Sequence, residues 1–331
     1  MIWTVCKLLI GLVLLFFGGN WLVDGGVAIA KRFKISPLVI GMTIVAMGTS
    51  APELIVSLLA SLKGSNGIAI GNVVGSNIAN IGLILGLTAI ICPIIAKGKD
   101  IILNGLVMIV TSGILVLMSF TRQGLSRIDG LILVAGLLIF TIISIISGKK
   151  TNQDEDTDDD APSMKPLIAL LVVAFSCGML AYGANMLIDN ATIIAKALNI
   201  SDKVIGLTIV ALGTSLPELA ASLIAATKKQ MDISLGNIIG SNIFNILAVL
   251  GISSTINPID INFANYDADF VFMLLFSVLL VIFILPWKSN LRKFMNIRNI
   301  AAFKSLTNGV LGRISGFILL AVYVYYIIRL F

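Results

Sequence analysis

Residues 41–80 and 206–245 align without a gap at a constant offset of 165 and are identical at 23 of 40 positions. The first reads GMTIVAMGTSAPELIVSLLASLKGSNGIAIGNVVGSNIAN and the second GLTIVALGTSLPELAASLIAATKKQMDISLGNIIGSNIFN. The same offset pairs Asn20 with Asn185, Asp24 with Asp189, Ser36 with Ser201 and Pro93 with Pro258. Shared hydrophobicity does not put identical polar residues in register, so the chain is an internal duplication. Its fold must be one unit built twice.

The unit is a membrane unit. Only 12% of the 331 residues are charged against 58% hydrophobic, where a soluble domain carries roughly 25% charge. A net charge of +6 would suit nucleic acid, but the cations stand singly or in short groups between apolar runs. A phosphate-tracking groove needs them clustered, so no nucleic-acid partner is expected. Runs long enough to span the bilayer, about 20 residues each, lie near 5–24, 38–62, 67–92, 101–120, 129–148, 166–189, 204–227, 232–256, 268–287 and 312–331. The chain is therefore predicted to be an all-α polytopic membrane protein of ten transmembrane helices. Residues 1–148 and 166–331 form two five-helix repeats, joined by an acidic linker at 149–165. Five is odd, so the second copy enters the membrane from the opposite side. Such inverted-topology repeats are the frame of many secondary transporters, whose sites lie near the midplane where the halves meet.

Cations set the orientation. With the N-terminus outside, inner loops hold 16 of the 23 Lys and Arg and outer segments 7. Both termini are expected outside and the linker in the cytoplasm. That linker carries Asp154, Glu155, Asp156, Asp158, Asp159 and Asp160. It lacks the Gly and Glu positions of an EF-hand and reads as a solvated connection. The first apolar run shows no convincing cleavage site and matches a later span, so it is expected to be retained. Cys6, Cys92 and Cys177 have neither metal-ligand spacing nor a disulfide pattern.

Of the seventeen acids, only Glu53 and Glu218 sit well inside spans, and they are repeat mates. An intramembrane carboxylate without a counter-cation is costly and points to function. A purely structural ion pair is disfavoured because no Lys, Arg or His lies deep in a span. Pro52 and Pro217 lack an N–H and free the carbonyls of Gly48 and Gly213. Irregular backbone at membrane depth is tolerated where it lines a cavity or ion site. Four-residue spacing sets Thr49, Glu53 and Ser57 on one face, and Thr214, Glu218 and Ser222 on its mate. The following helices present Asn72, Ser76 and Asn80, and Asn237, Ser241 and Asn245. Part of this pattern has a packing explanation: Gly71, Gly75, Gly236 and Gly240 for close approach, Asn77 and Asn242 for interhelical hydrogen bonds.

Carboxylate, hydroxyl, amide and carbonyl oxygens without His suit hard cations. Two bidentate glutamates and two carbonyls supply about six oxygens, within the range calcium takes. Two carboxylates balance one divalent or two monovalent ions, and a third sodium would make exchange electrogenic. No cofactor and no enzymatic chemistry are expected.

At these residues the sequence resembles the calcium/cation antiporter superfamily, in its sodium/calcium exchanger branch of the prokaryotic type. The resemblance rests on GTSAPE with GNVVGSNIAN and GTSLPE with GNIIGSNIFN, supported by the ten-span layout. It implies Ca2+/Na+ exchange across the cell membrane by alternating access, with the first and sixth helices sliding over the other eight. It implies Ca2+ and Na+ as substrates, the lipid bilayer as surroundings and a monomer. Glu53 and Glu218 would bind calcium and share sodium, with Thr49 and Thr214 adding backbone oxygens. Ser50, Ser76 and the Ala46 carbonyl would form one flanking sodium site. Ser215, Ser241 and the Ala211 carbonyl would form the other. Asn80 and Asn245 would lie at the centre, where some members carry Asp.

Alternatives separate on simple grounds. Proton-coupled relatives usually read GNA-x-E and often carry His, and this chain has none; potassium-dependent exchange is a further variant. Channels build carboxylate rings from several similarly oriented units. An intramembrane protease would need paired Asp residues or a Ser/His pair in the membrane, and neither is present. The short middle loop has no room for a large calcium-sensing domain.

Overall fold

The computed structural model describes residues 2–96, 99–151, 164–198, 211–285 and 309–330. Most of the acidic linker, Ser201, the start of the seventh expected span and the basic stretch before the last helix lie outside these residues.

The chain opens with α1 (Ile2–Phe33), 32 residues or about 48 Å at 1.5 Å per residue. The expected span ended at residue 24. The helix continues through Gly25 and Gly26, and at Gly25 it packs so closely on α7 that a Cβ would stand 2.8 Å from Val173. It stops where Lys34 takes φ 51° and Ile35 N–H reaches back to the Ala30 carbonyl at 3.0 Å, a left-handed cap. Ser36 then caps α2 (Pro37–Thr49), its hydroxyl accepting from Val39 N–H at 3.4 Å. A π-helical turn occupies Gly41–Val45 within α2. At Ser50 the axis bends by 48° into α3 (Ala51–Leu62), because Pro52 cannot donate across the joint.

There follow α4 (Asn66–Ile91), strand β1 (Ile94–Ala96), α5 (Lys99–Arg122), strand β2 (Gly124–Leu125) and α6 (Arg127–Thr151). The second half repeats the order. It comprises α7 (Pro166–Ala197), α8 (Ala211–Gly213), α9 (Leu216–Thr227) and α10 (Met231–Ile256). Strand β3 (Ile259–Asp260), α11 (Asp267–Ile284), strand β4 (Gly309–Leu311) and α12 (Arg313–Arg329) complete it. Mates share even their irregularities: π turns begin at Asn80 in α4 and at Asn245 in α10. Gly64 and Lys229, also mates, both take positive φ after α3 and α9.

Seven of these helices are long and apolar enough to cross a membrane, and the bent pair α2–α3 makes an eighth span if counted as one. The central helices are α4 and α10, with 72% and 89% of their apolar windows buried, against 17% for α6. Outward-facing leucines and isoleucines such as Leu131, Leu138, Leu167 and Leu171 are exposed, an apolar surface that suits lipid and not water. Two antiparallel strand pairs tie the halves together, β1 with β4 (Ile94 opposite Leu311) and β2 with β3 (Leu125 opposite Ile259).

The buried apolar residues fall into two clusters. One joins α4, α5, α10, α11 and α12. The other joins α1 and α7 to α9 through Leu22, Val173, Leu180, Ala221 and Ile224. Between the clusters α2 lies directly on α10. A Cβ on Gly236 would stand 2.5 Å from the Leu38 carbonyl oxygen, and one on Gly240 2.5 Å from Met42 Cα. These two glycines serve close packing, as expected. For Gly71 and Gly75 the structure shows nothing within 4 Å among the described residues.

Gly240→Val should therefore be destabilising by roughly 1–3 kcal/mol, the usual cost of overpacking, and should lower the melting temperature in detergent. Gly113→Ala, where a Cβ meets no described atom within 4 Å, should leave it unchanged or slightly raised.

Candidate cation-binding site

Breaking a helix at Ser50 creates a new helix N-terminus at membrane depth, and Glu53 occupies its first turn. Glu218 has the same place in α9, after the break at Thr214 and Ser215. Unpaired N–H groups and the positive end of the helix dipole favour a carboxylate there. Both side chains are fully buried. Ion pairs among the described residues join Arg122 to Asp129 and Lys228 to Asp24, so neither glutamate has a basic partner.

Their hydrogen bonds draw the repeats together. Glu218 Oε1 accepts from Ser50 Oγ at 2.8 Å. Glu53 Oε1 accepts from Ser76 Oγ at 3.4 Å, and Ser76 Oγ lies 3.3 Å from Ser215 Oγ. Asn245 Nδ2 donates to Ser76 Oγ at 3.2 Å. Several buried polar atoms here have no hydrogen-bond partner: Glu53 Oε2, Glu218 Oε2, both amide atoms of Asn80, Asn245 Oδ1 and Ser241 Oγ. Folded interiors leave few such atoms, and each belongs to a residue the repeat pattern singles out. Among the described residues no three His, Cys, Asp or Glu side chains converge. A cation bound here would draw on two carboxylates and on neutral oxygens.

Other residues differ in detail. Thr49 is buried, but the bend intervenes between it and Glu53, so the continuous face expected for Thr49, Glu53 and Ser57 does not form. Its hydroxyl donates instead to Asn237 Oδ1 of the second repeat at 3.1 Å. The Ala46 carbonyl accepts from Ser50 N–H at 2.9 Å and from Thr49 Oγ1 at 3.3 Å. Serving an ion would require the Thr49 hydroxyl to turn away. Ala211 begins α8, and Thr214 is half-buried at the break.

Asn77 belongs to the site as well as to packing. Its Oδ1 accepts from Asn245 Nδ2 at 3.1 Å and its Nδ2 donates to the Asn242 carbonyl at 3.3 Å. Its position one residue after Ser76 was the available signal. Asn72 and Asn237 act as braces. Each donates at 2.9 Å to the serine on the preceding helix, Ser57 and Ser222 respectively.

Fold and centre together define a polytopic membrane protein whose core holds an oxygen-lined, two-carboxylate cluster suited to hard cations. A family model described as sodium/calcium exchanger protein matches residues 3–146 and 168–331. The sodium/calcium exchanger MaX1 of Methanosarcina acetivorans is 31% identical over 317 residues, covering 84% of this chain and 90% of that protein. The inner membrane protein YrbG of Escherichia coli is 37% identical over 300 residues, covering 87% and 90%. A structure of the sodium-calcium exchanger NCX_Mj soaked with 2.5 mM Na+ and 0.1 mM Ca2+ superposes with a TM-score of 0.81 at 34% identity, covering 100% of this chain and 99% of that one. The chain belongs to the sodium/calcium exchanger family, a family of membrane exchangers and not of enzymes.

Asn237→Ala would leave the buried Ser222 hydroxyl without its amide donor and the Thr49 hydroxyl with the Ala46 carbonyl alone. A buried group left unsatisfied costs about 1–3 kcal/mol, so the variant's melting temperature in detergent should fall clearly below that of the unaltered protein.

Proposed function

We propose that the protein is a secondary antiporter exchanging Ca2+ for Na+ across the cell membrane by alternating access. The observation that carries this reading is the pair Glu53 and Glu218, each with one free carboxylate oxygen and linked across the repeats by Ser50, which donates to Glu218, and by Ser76, which donates to Glu53 and touches Ser215. A site shared between two halves of opposite topology can be exposed first to one side and then to the other as the halves rock. We count ten spans in inverted five-helix repeats, reading the broken α8–α9 segment and the 17-residue α12 as crossings too. The cation count favours termini outside and the acidic linker inside.

In this reading Glu53 and Glu218 hold Ca2+ together with oxygens of Thr49 and Thr214. Two carboxylate charges neutralise the ion, and the neutral donors replace its water. Ser50, Ser76 and the Ala46 carbonyl form one sodium position; Ser215, Ser241 and the Ala211 carbonyl form the other. Asn80 and Asn245 line the centre. Because the same carboxylates serve both ions, Na+ and Ca2+ compete, and this competition couples the two fluxes. The α1–α7 pair is the part that moves over the remainder.

Purified protein in liposomes should take up Ca2+ when a Na+ gradient is imposed and not when only a pH gradient is imposed. Glu53→Gln and Glu218→Gln should reduce uptake to the level of protein-free liposomes. Binding is checked separately. Ca2+ at a hundredfold its Kd stabilises a protein by about 2.7 kcal/mol, and each glutamine variant should lose that thermal shift while remaining folded. Uptake driven by pH alone would overturn the sodium assignment.

A further inference from the structure

The two repeats carry the same charged residues but use them differently. Lys228 ends α9, and its Nζ donates to Asp24 Oδ1 of α1 at 2.7 Å and to the Asn20 carbonyl at 3.1 Å. The repeat mates of Lys228, Asp24 and Asn20 are Lys63, Asp189 and Asn185. Lys63 ends α3 in the same backbone conformation, φ −86° and ψ 3° against −78° and 6°. Among the described residues neither Lys63 nor Asp189 has an ion-pair or hydrogen-bond partner, and both are exposed. The packing is equally one-sided. α1 lies along α9 while α7 hardly touches α3. Ile224 of α9 is 8% exposed whereas its mate Leu59 is 50% exposed. The centre breaks symmetry too. Asn245 Nδ2 bonds Ser76 and Asn77, but the corresponding atoms of Asn80, Ser241 and Asn242 are all unpartnered.

We propose that Asp24–Lys228 and Asp189–Lys63 are alternating latches, one closed at a time, that hold the α1–α7 pair against α9 in one state and against α3 in the other. The four side chains are positioning residues that set the balance between the two faces of the exchanger, and they bind no ion themselves. The inference rests on alternating access. Inverted repeats explain why a contact missing from one half is found in the other: the opposite state is the present one with the roles of the halves exchanged. A partly exposed ion pair is a weak contact. Weakness suits a latch, because a strong one would trap a single state. With Lys228 on the cytoplasmic side, as the cation count favours, the state described here is closed to the cytoplasm.

The test uses two cysteine reporters placed away from the charges, in full-length protein whose three native cysteines are replaced by alanine. Gly19→Cys with Ile224→Cys reports the α1–α9 closure, since a Cβ on Gly19 already meets the Ile224 side chain. Its mate, Ala184→Cys with Leu59→Cys, reports the α7–α3 closure. Lys228→Ala should lower cross-linking of the first pair and raise that of the second, shifting their ratio by about two- to fivefold, as loss of a weak ion pair allows. Lys63→Ala should shift it the other way, and Lys63→Ala with Lys228→Ala should restore it. A merely structural salt bridge would instead give additive loss of folding. Lowered cross-linking at one end without a gain at the other, or no response to Lys63→Ala, would overturn the latch. Failure of alternating access looks different: the second reporter would never cross-link in any variant or ion condition while Ca2+ exchange continues.

Discussion

Two carboxylates held in a membrane interior without a counter-cation are the constraint around which the rest is arranged. Such a charge is expensive to bury, and the chain meets the expense with local backbone geometry. Pro52 and Pro217 break their helices so that Glu53 and Glu218 sit in first turns, where unpaired N–H groups and the dipole favour negative charge. Serine hydroxyls supply the nearest hydrogen bonds, Ser50 of the opposite repeat to Glu218 and Ser76 of the same repeat to Glu53. π-helical turns starting at Asn80 and Asn245 place irregular backbone beside the carboxylates, a common accompaniment of functional positions in helices. What these devices leave unsatisfied is mainly a set of oxygens, the donor type that hard cations prefer.

The same constraint explains why packing is divided. The centre needs rigid walls, and α4 and α10 are the most buried of the membrane-length helices. The α1–α7 pair packs in a second apolar cluster that it shares with α2, α9 and α10, and it meets the centre at the helix breaks. A Cβ on Gly48 or on Gly213 would run into α7, at Cys177 and Ile188 respectively. Both breaks therefore touch one long helix, so a shift of that helix is felt at both glutamates.

Much of this was legible in the sequence because polar residues in an apolar chain are few and each carries information. Glu53, Glu218 and their prolines announced the breaks, and the constant offset announced the duplication. Other features were hidden for identifiable reasons. Periodicity assumes a continuous helix, so it could not foresee that the bend at Ser50 sends Thr49 toward Asn237. Hydropathy stops at a charge, so it ended the first span at Asp24 although the helix runs on through Gly25 and Gly26 to Phe33. Asn77 looked like a packing residue because its partners, Asn245 and the Asn242 carbonyl, lie in the other repeat. The pairing of β1 with β4 has no local signal, since three residues of strand depend on a partner far along the chain. The inequality of the halves was invisible because the charged mates, Asp24 with Asp189 and Lys228 with Lys63, are identical residues that differ in which neighbours they have found.

The strand pairs and the shared site also bear on how the chain is made. Ile94 pairs with Leu311, 217 residues further on, and Ser50 and Glu218 are 168 residues apart. Contacts this remote in sequence form late, because long loops must close before they are rewarded. During synthesis the first half, α1 to α6, emerges with Glu53 lacking its second-half neighbours and β1 lacking its partner. Neither half is a finished object by itself, although each descends from the same unit. The duplication has made assembly of the core wait for the second half to leave the ribosome.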